Sequence, residues 1–449
     1  MKLTQQFQRF LLLASLLIIA SSVEVYAQAN VIVYATGLTS PIGLEIDNQG
    51  RLWVAEEGSG NNDSRVSVVT TDGQVHPFLT GLPSELVEGD PLGAEHVYLD
   101  ANGDLLIAQG EGSDFLSESI LRISTAGFSP GDTSRKIDDL KAIHKIGRFT
   151  LSQGAASTNP YAMAIGPDNN LYIVDAGLNG IVKLERCTGN LSVFATFDPI
   201  PNPTTEGPPV MDAVPTGIVF SGNKFYVGLF VGFPFLPDSS RVMQVDLDGN
   251  VSLLKTGLTS VVDLAIDPRD GNLVFLQFAR WEFPFAPNTG GVFKLKNGAI
   301  DTIAFGLNFS TGLRFKTNGD LFVSSFADGQ ILKVAFSTTA VSTRSSGTLP
   351  QAFALNQNYP NPFSANGTFG NPSTTINFEV PKSAQVKMKV YDTLGREVRT
   401  LFDGRLEAGA HQKVWDGKDD NGMSMGSGVY FVKMAADGFE SSKRMMLIK

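Results

Sequence analysis

Glu95 and His96 stand together in Gly93-Ala-Glu-His-Val-Tyr-Leu-Asp100. An acid beside a histidine is the raw material of general acid–base work. Histidine is otherwise scarce, with four in the chain: His76, His96, His144 and His411. The pair opens a strand-like run, however, and neighbouring strand residues leave on opposite faces. The two do not form a ready-made dyad. His96 reads either as lining a channel mouth or as a satisfied core histidine. No Gly-x-Ser-x-Gly elbow, His-Glu-x-x-His zinc helix or phosphate-binding loop occurs. Asp416-Gly-Lys-Asp-Asp-Asn-Gly422 has the look of a calcium loop, but Lys418 stands where the EF-hand pattern needs an acid. That stretch is read as a hairpin turn. The single cysteine, Cys187, has no histidine near it in sequence and is read as a small half-buried residue rather than a nucleophile. Alone, it cannot staple the fold.

Two further stretches stand out. Gly228-Leu-Phe-Val-Gly-Phe-Pro-Phe-Leu-Pro-Asp238 is echoed by Arg280-Trp-Glu-Phe-Pro-Phe-Ala-Pro-Asn288. Proline makes continued strand pairing difficult, so both are expected as loops. Their aromatics, Phe233, Phe235, Trp281 and Phe283, either form a ligand-binding rim or pack on one another and plug a channel mouth.

The elements that would position these groups recur. Residues 40–58, 93–112, 159–177, 214–230, 260–278 and 310–326 each give a short apolar strand, a turn rich in Asp, Asn and Gly, and a second apolar strand. Such turn residues tolerate the positive φ that tight hairpins demand. A third strand follows in most units, and several close on a fourth ending in Gly-Leu. About six four-stranded units are the mark of a β-propeller. The last unit stops after Gly329-Gln-Ile-Leu-Lys-Val-Ala-Phe336, without a fourth strand. Asn30-Val-Ile-Val-Tyr-Ala-Thr-Gly-Leu38 resembles a fourth strand with no unit before it, so it is expected to complete the last blade and close the ring. One unit departs from the pattern: Ile137, Leu140, Ile143 and Ile146 recur at helical spacing and predict a helix on a loop.

Composition bounds the rest. The chain has 449 residues, 46 of them Gly and 31 Phe, and a net charge of −10. No basic stripe is present to neutralise phosphates, so no nucleic-acid partner is expected. Lys2 and Arg9 precede the apolar run 10–20, and Val25-Tyr-Ala27 follows, which reads as a secretory signal peptide over 1–27. No later stretch is apolar enough to span a membrane, so none is expected after signal removal. The propeller is expected over 30–336 and a Ser/Thr-rich linker over 337–352. A terminal domain of about seven short strands is expected over 353–449. The fold class is all-β: a six-bladed β-propeller followed by a C-terminal immunoglobulin-like β-sandwich.

The terminal domain carries a dense resemblance. Leu355-Asn-Gln-Asn-Tyr-Pro-Asn-Pro-Phe363, Val386-Lys-Met-Lys-Val-Tyr-Asp392, the 416–422 turn, and Lys443-Arg-Met-Met-Leu-Ile-Lys449 resemble the type A C-terminal sorting domain of type IX secretion cargo, which is FlgD-like. An extra Ser364-Ala-Asn-Gly-Thr-Phe-Gly370 interrupts the usual run. The resemblance implies export through the type IX secretion machinery as partner, and a secreted or surface-attached product. Over 32–336 the propeller resembles the ScyD/ScyE-type extracellular family, which implies a fold and no settled reaction. More distantly, Pro41–Gly58 resembles the repeat of NHL proteins and six-bladed lactonases. The lactonase likeness would imply a divalent ion such as Ca²⁺ held by Glu, Asp and Asn oxygens. Acidic candidates are Glu45, Glu57, Glu95, Asp175, Asp212 and Asp263, but no set matches the lactonase ligands, and no cofactor is expected. Ligand-binding candidates are Glu57, His96, Tyr161, Asp175 and Asp263 with the four loop aromatics. Three roles stay open: non-catalytic recognition of a glycan, peptide or small molecule, lactonase-like hydrolysis, and a structural surface protein.

Overall fold

The computed structural model describes residues 30–335, apart from 88 and 283, and residues 352–448, apart from 356–357, 359–362, 365–373 and 421. The signal peptide, nearly all of the linker, and Phe283 lie outside the described residues. The chain divides into two compact units, one on each side of the linker.

The first unit contains six four-stranded antiparallel sheets among the described residues. Their inner strands are Pro41–Ile46, Ala94–Leu99, Pro160–Ile165, Pro215–Ser221, Val261–Ile266 and Ser310–Phe315. Each packs against the inner strands of two neighbouring blades, the sixth against the first, so the sheets close into a ring. The recurring turn acids build the inner hairpins. Asp47 Oδ1 accepts from the amides of Gln49 and Arg51, both at 2.9 Å, and Gly50 takes a φ of +77° in that turn. Asp100 does the same for Asn102 and Asp104. Asn30–Thr36 pairs antiparallel with Gln330–Ala335, Asn30 opposite Ala335 and Thr36 opposite Gln330, and supplies the fourth strand of blade 6.

All six inner strands slip register near their second residue, between 41 and 44, 94 and 96, 160 and 162, 215 and 217, 261 and 263, and 310 and 313. These bulges bend the strand mouths and re-aim the side chains there. Neighbouring strands approach closely just below. A Cβ on Gly43 would lie 2.8 Å from the Glu95 carbonyl and inside contact distance of the His96 ring, and one on Gly217 would lie 2.9 Å from Asp263 Cα. Gly43→Ala is therefore expected to destabilise the propeller by about 1–3 kcal/mol, the range for overpacking. A thermal melt of the variant indistinguishable from wild type would refute this.

One expectation is corrected. The helix over 137–146 is instead a 3₁₀ turn, Ile137–Asp139, then a strand, Leu140–Lys145, and only then a helix, Ile146–Ser152. The strand pairs with Ser119–Ser124, Ser119 opposite Lys145, as the fourth strand of blade 2. An open sheet edge offers a row of backbone partners, and that outweighs a four-residue apolar spacing.

The second unit places Ala354–Leu355, Thr374–Val380 and Gly409–Trp415 in one sheet. The other sheet holds Phe363–Ser364, Ala384–Asp392, Glu397–Leu406, Gly428–Ala436 and Phe439–Ile448. Val386, Met388 and Val390 point into a core shared with Trp415 and Phe378, while Lys387 and Lys389 alternate outward, as the period-two pattern predicts. Asn358, in the Asn/Pro seam, is buried and donates to Thr374 Oγ1 at 2.8 Å.

Candidate functional site

Two polar constellations occupy the inner strands, and the bulges separate them. The first lies where blades 1, 2 and 3 meet. Glu57 follows the second strand of blade 1, Leu52–Glu56. Glu95 sits on the blade 2 bulge, and Asn159 and Tyr161 open blade 3. A hairpin of Glu85–Val87 and Asp90–Leu92 carries Asp90 to the same place. Glu57, Asp90, Glu95, Asn159 and Tyr161 are all buried. Burial pushes the Glu57 carboxyl well above its usual range, and the neighbouring Glu95 and Asp90 charges push it further. Burial likewise raises Glu95 to about 8, against the lowering effect of hydrogen bonds with Glu57 and Asn159. Burial and the neighbouring carboxyl thus disfavour ionisation of both Glu57 and Glu95. Tyr161 is held protonated by its burial and by the Glu95, Glu57 and Asp263 charges.

The second constellation centres on Arg314 of blade 6. Its guanidinium Nη1 donates to Asp263 Oδ2 at 3.3 Å and to the Leu313 carbonyl at 2.7 Å. Nη2 donates to His96 Nε2 at 3.1 Å, and Nε lies 3.5 Å from Glu45 Oε2. One side chain therefore ties blades 6, 5, 2 and 1. His96 Nε2 is an acceptor here, so the ring is neutral with its proton on Nδ1, which is buried without a partner. Burial, then the Arg314 charge, hold the His96 pKa well below its usual value. Burial also raises Asp263 despite the arginine.

The sequence candidates scatter accordingly. Glu57 and Tyr161 join the acid cluster, while His96 and Asp263 meet at Arg314. Glu95 and His96 do leave their strand in different directions, one to each constellation. Asp175 joins neither: Oδ1 accepts from the amides of Asn159, Gly177 and Leu178, and Oδ2 from Thr158 and Thr150. It is a blade 3 turn cap, which corrects its candidacy. Phe235 lies in the core rather than on a rim. It packs with Phe230 and Phe285 at ring separations of 6.2 and 5.5 Å, and Phe278 and Phe309 extend the cluster. Phe233 and Trp281 cover its edge, half-buried. Phe233, Phe235 and Trp281 pack on one another, as one of the two readings had it. Cys187 is exposed rather than half-buried.

Arg314 was missed, since nothing local in Ser310-Thr-Gly-Leu-Arg-Phe315 marks it. Superposing the repeats would have found it. Its position is filled by Glu45, Tyr98, Ala164, Val219 and Ala265 in the other blades. Two positions earlier stand Gly43, His96, Ala162, Gly217, Asp263 and Gly312. Small residues leave space in most blades, and the few large polar ones share it.

Beside the acid cluster, between blades 3 and 4, a pocket of about 210 Å³ is lined by Ala155–Ser157, Asn159, Ala176–Asn179, Asp212 and Val214. Asn159 belongs to both the pocket wall and the acid cluster: its Oδ1 accepts from the Glu111 amide at 3.1 Å, and its side chain bonds Glu95. Among the described residues no three His, Cys, Asp or Glu side chains are arranged to hold a metal.

Residues 364–438 match the family model of the FlgD Ig-like domain. No curated protein matches the chain. Among solved structures, the chain is similar to a virginiamycin B lyase from Staphylococcus aureus, 13% identical, covering 68% of this chain and 98% of that one at a TM-score of 0.41. A gluconolactonase from Xanthomonas campestris is 14% identical, covering 73% and 99%, with a TM-score of 0.46. A protein of unknown function from Bacteroides thetaiotaomicron is 13% identical, covering 68% and 75%, with a TM-score of 0.47. None of these likenesses carries a site residue to this chain. The chain has a FlgD Ig-like domain at its C-terminus, behind a six-bladed propeller whose site is read from its own side chains.

Proposed function

We propose that the protein is an exported ligand-binding propeller that recognises a small molecule in the pocket between blades 3 and 4, with the buried acid pair behind it. The FlgD Ig-like domain serves in this reading as the type IX sorting domain, and the product is secreted or surface-attached. The observation that carries the recognition reading is the pocket wall at Asn159, which joins an open cavity to two carboxyls held out of their usual ionisation range. Groups so perturbed beside a cavity cluster at functional sites. The full mature chain should show saturable thermal shifts with members of a panel of amines, sugars and short peptides. Leu178→Phe, which narrows the pocket from a half-buried position, should abolish them. A panel without any shift would leave the structural surface role.

The value of about 8 for Glu95 favours a second reading, hydrolysis with this carboxyl as general acid. Turnover of lactones or esters by the same protein, lost in Glu95→Gln and indifferent to EDTA, would establish it. A metal-dependent lactonase would instead lose activity in EDTA.

A further inference from the structure

Asp212 is the charged side chain of the pocket wall, and its two oxygens are in different situations. Oδ1 accepts from Asn179 Nδ2 at 3.2 Å. Asn179 is fixed in turn, because its Oδ1 accepts from the Val214 amide at 2.8 Å and its backbone sits at a φ of +55°. The aspartate backbone is pinned too, with its carbonyl accepting from the Gly232 amide at 2.9 Å. Among the described residues Oδ2 has no hydrogen-bond partner and no paired cation. A carboxylate oxygen is thus held, half-buried, in a wall whose other members are mostly small and apolar: Ala155, Ala156, Ala176, Leu178 and Val214. An acceptor in such a place selects a donor, and a charged donor most strongly. The volume, about 210 Å³, exceeds the roughly 150 Å³ of an apolar cavity that takes a benzene ring. It therefore admits a body of four to six heavy atoms, not a chain.

We propose that this pocket takes a primary ammonium group on a short aliphatic body, the ammonium against Asp212 Oδ2 and the body against Ala176, Leu178 and Val214. The proposal rests on the recognition reading and names its ligand class. A glycan hydroxyl would meet the same oxygen without the charge. The discriminating comparison is therefore between isobutylammonium and isobutanol, which share a body and differ in the head group.

The test is calorimetric titration of the full mature chain at neutral pH and low salt. Isobutylammonium chloride should bind at least tenfold more tightly than isobutanol. Asp212→Asn should remove most of that preference and leave the alcohol unchanged. Should Asp212→Asn fold poorly, Leu178→Phe serves as the second variant, and it should weaken both probes. Equal affinity for the two probes would overturn the ammonium proposal and leave the recognition reading standing. Amine binding unmoved by Leu178→Phe would overturn the assignment to this pocket. Binding of neither probe would overturn the proposal, and the wider ligand panel then decides the recognition reading separately.

Discussion

Arg314→Met is expected to lower the stability of the propeller by about 3–5 kcal/mol, the cost of breaking a buried ion pair from one side. The arginine is the cation paired with Asp263, which is buried, and with Glu45. Its loss also strips His96 Nε2 of its donor while Nδ1 is already unpartnered. The methionine fills most of the space, so the loss is electrostatic rather than a cavity. The double variant Arg314→Met, Asp263→Asn removes the stranded carboxylate and should recover a large part of the deficit. Thermal melts should show the propeller transition falling, with the C-terminal unit, which has its own core, as an internal reference. A fall no larger in the single variant than in the double would show that Arg314 acts by packing alone.

Glu57→Gln is expected to do the opposite, stabilising the protein by about 1–3 kcal/mol at pH 8. Both acids of the pair have folded pKa values above their unfolded ones. Between those values the folded state holds more protons than the unfolded state, so stability falls as pH rises. For Glu95 the window runs from the ordinary 4.5 to about 8. At about 1.4 kcal/mol for each tenfold change, the strain at the alkaline end amounts to a few kcal/mol. Glutamine at 57 cannot ionise, and its amide can donate to Glu95. Melting temperatures taken from pH 5 to 8.5 should decline steeply for wild type and much less for Glu57→Gln. Parallel curves would mean that the pair is not the source of the decline. A protein that retains such a pair forgoes stability at that place, as binding and catalytic sites commonly do.

Much of the fold was legible because the hairpin turns are written in residue chemistry. Asp47, Asp100 and Asp267 bond the amides of their own turns, so the acid and the turn it builds recur together. Ring closure was legible from a missing fourth strand and a surplus one. Leu140–Lys145 was not, because its apolar spacing fits a helix and its real partner is a strand sixteen or more residues away. The site was legible only by residue type. Strand alternation separates Glu95 from His96, but nothing along the chain says that Glu95 meets Glu57 or that His96 meets Arg314. Those meetings are made between blades, by strands 38 and 218 residues apart. The two Phe-Pro-Phe stretches left a rim and a packed plug open, and Phe235 and Phe285 are buried because hydrophobic rings in Pro-rich loops pack where the loops fold inward.

The pairing of Asn30–Thr36 with Gln330–Ala335 also sets an order of events. Five blades are each made from one continuous stretch of chain and can assemble as that stretch appears. The sixth must bring together ends some 300 residues apart, at a loop-closure cost of about 5 kcal/mol if nothing between them has yet condensed. Folding the earlier blades first shortens that search to a gap between two preformed edges. The propeller is therefore a clasp that fastens last: the first five blades form an open arc until Gln330–Ala335 is available to pair with Asn30–Thr36.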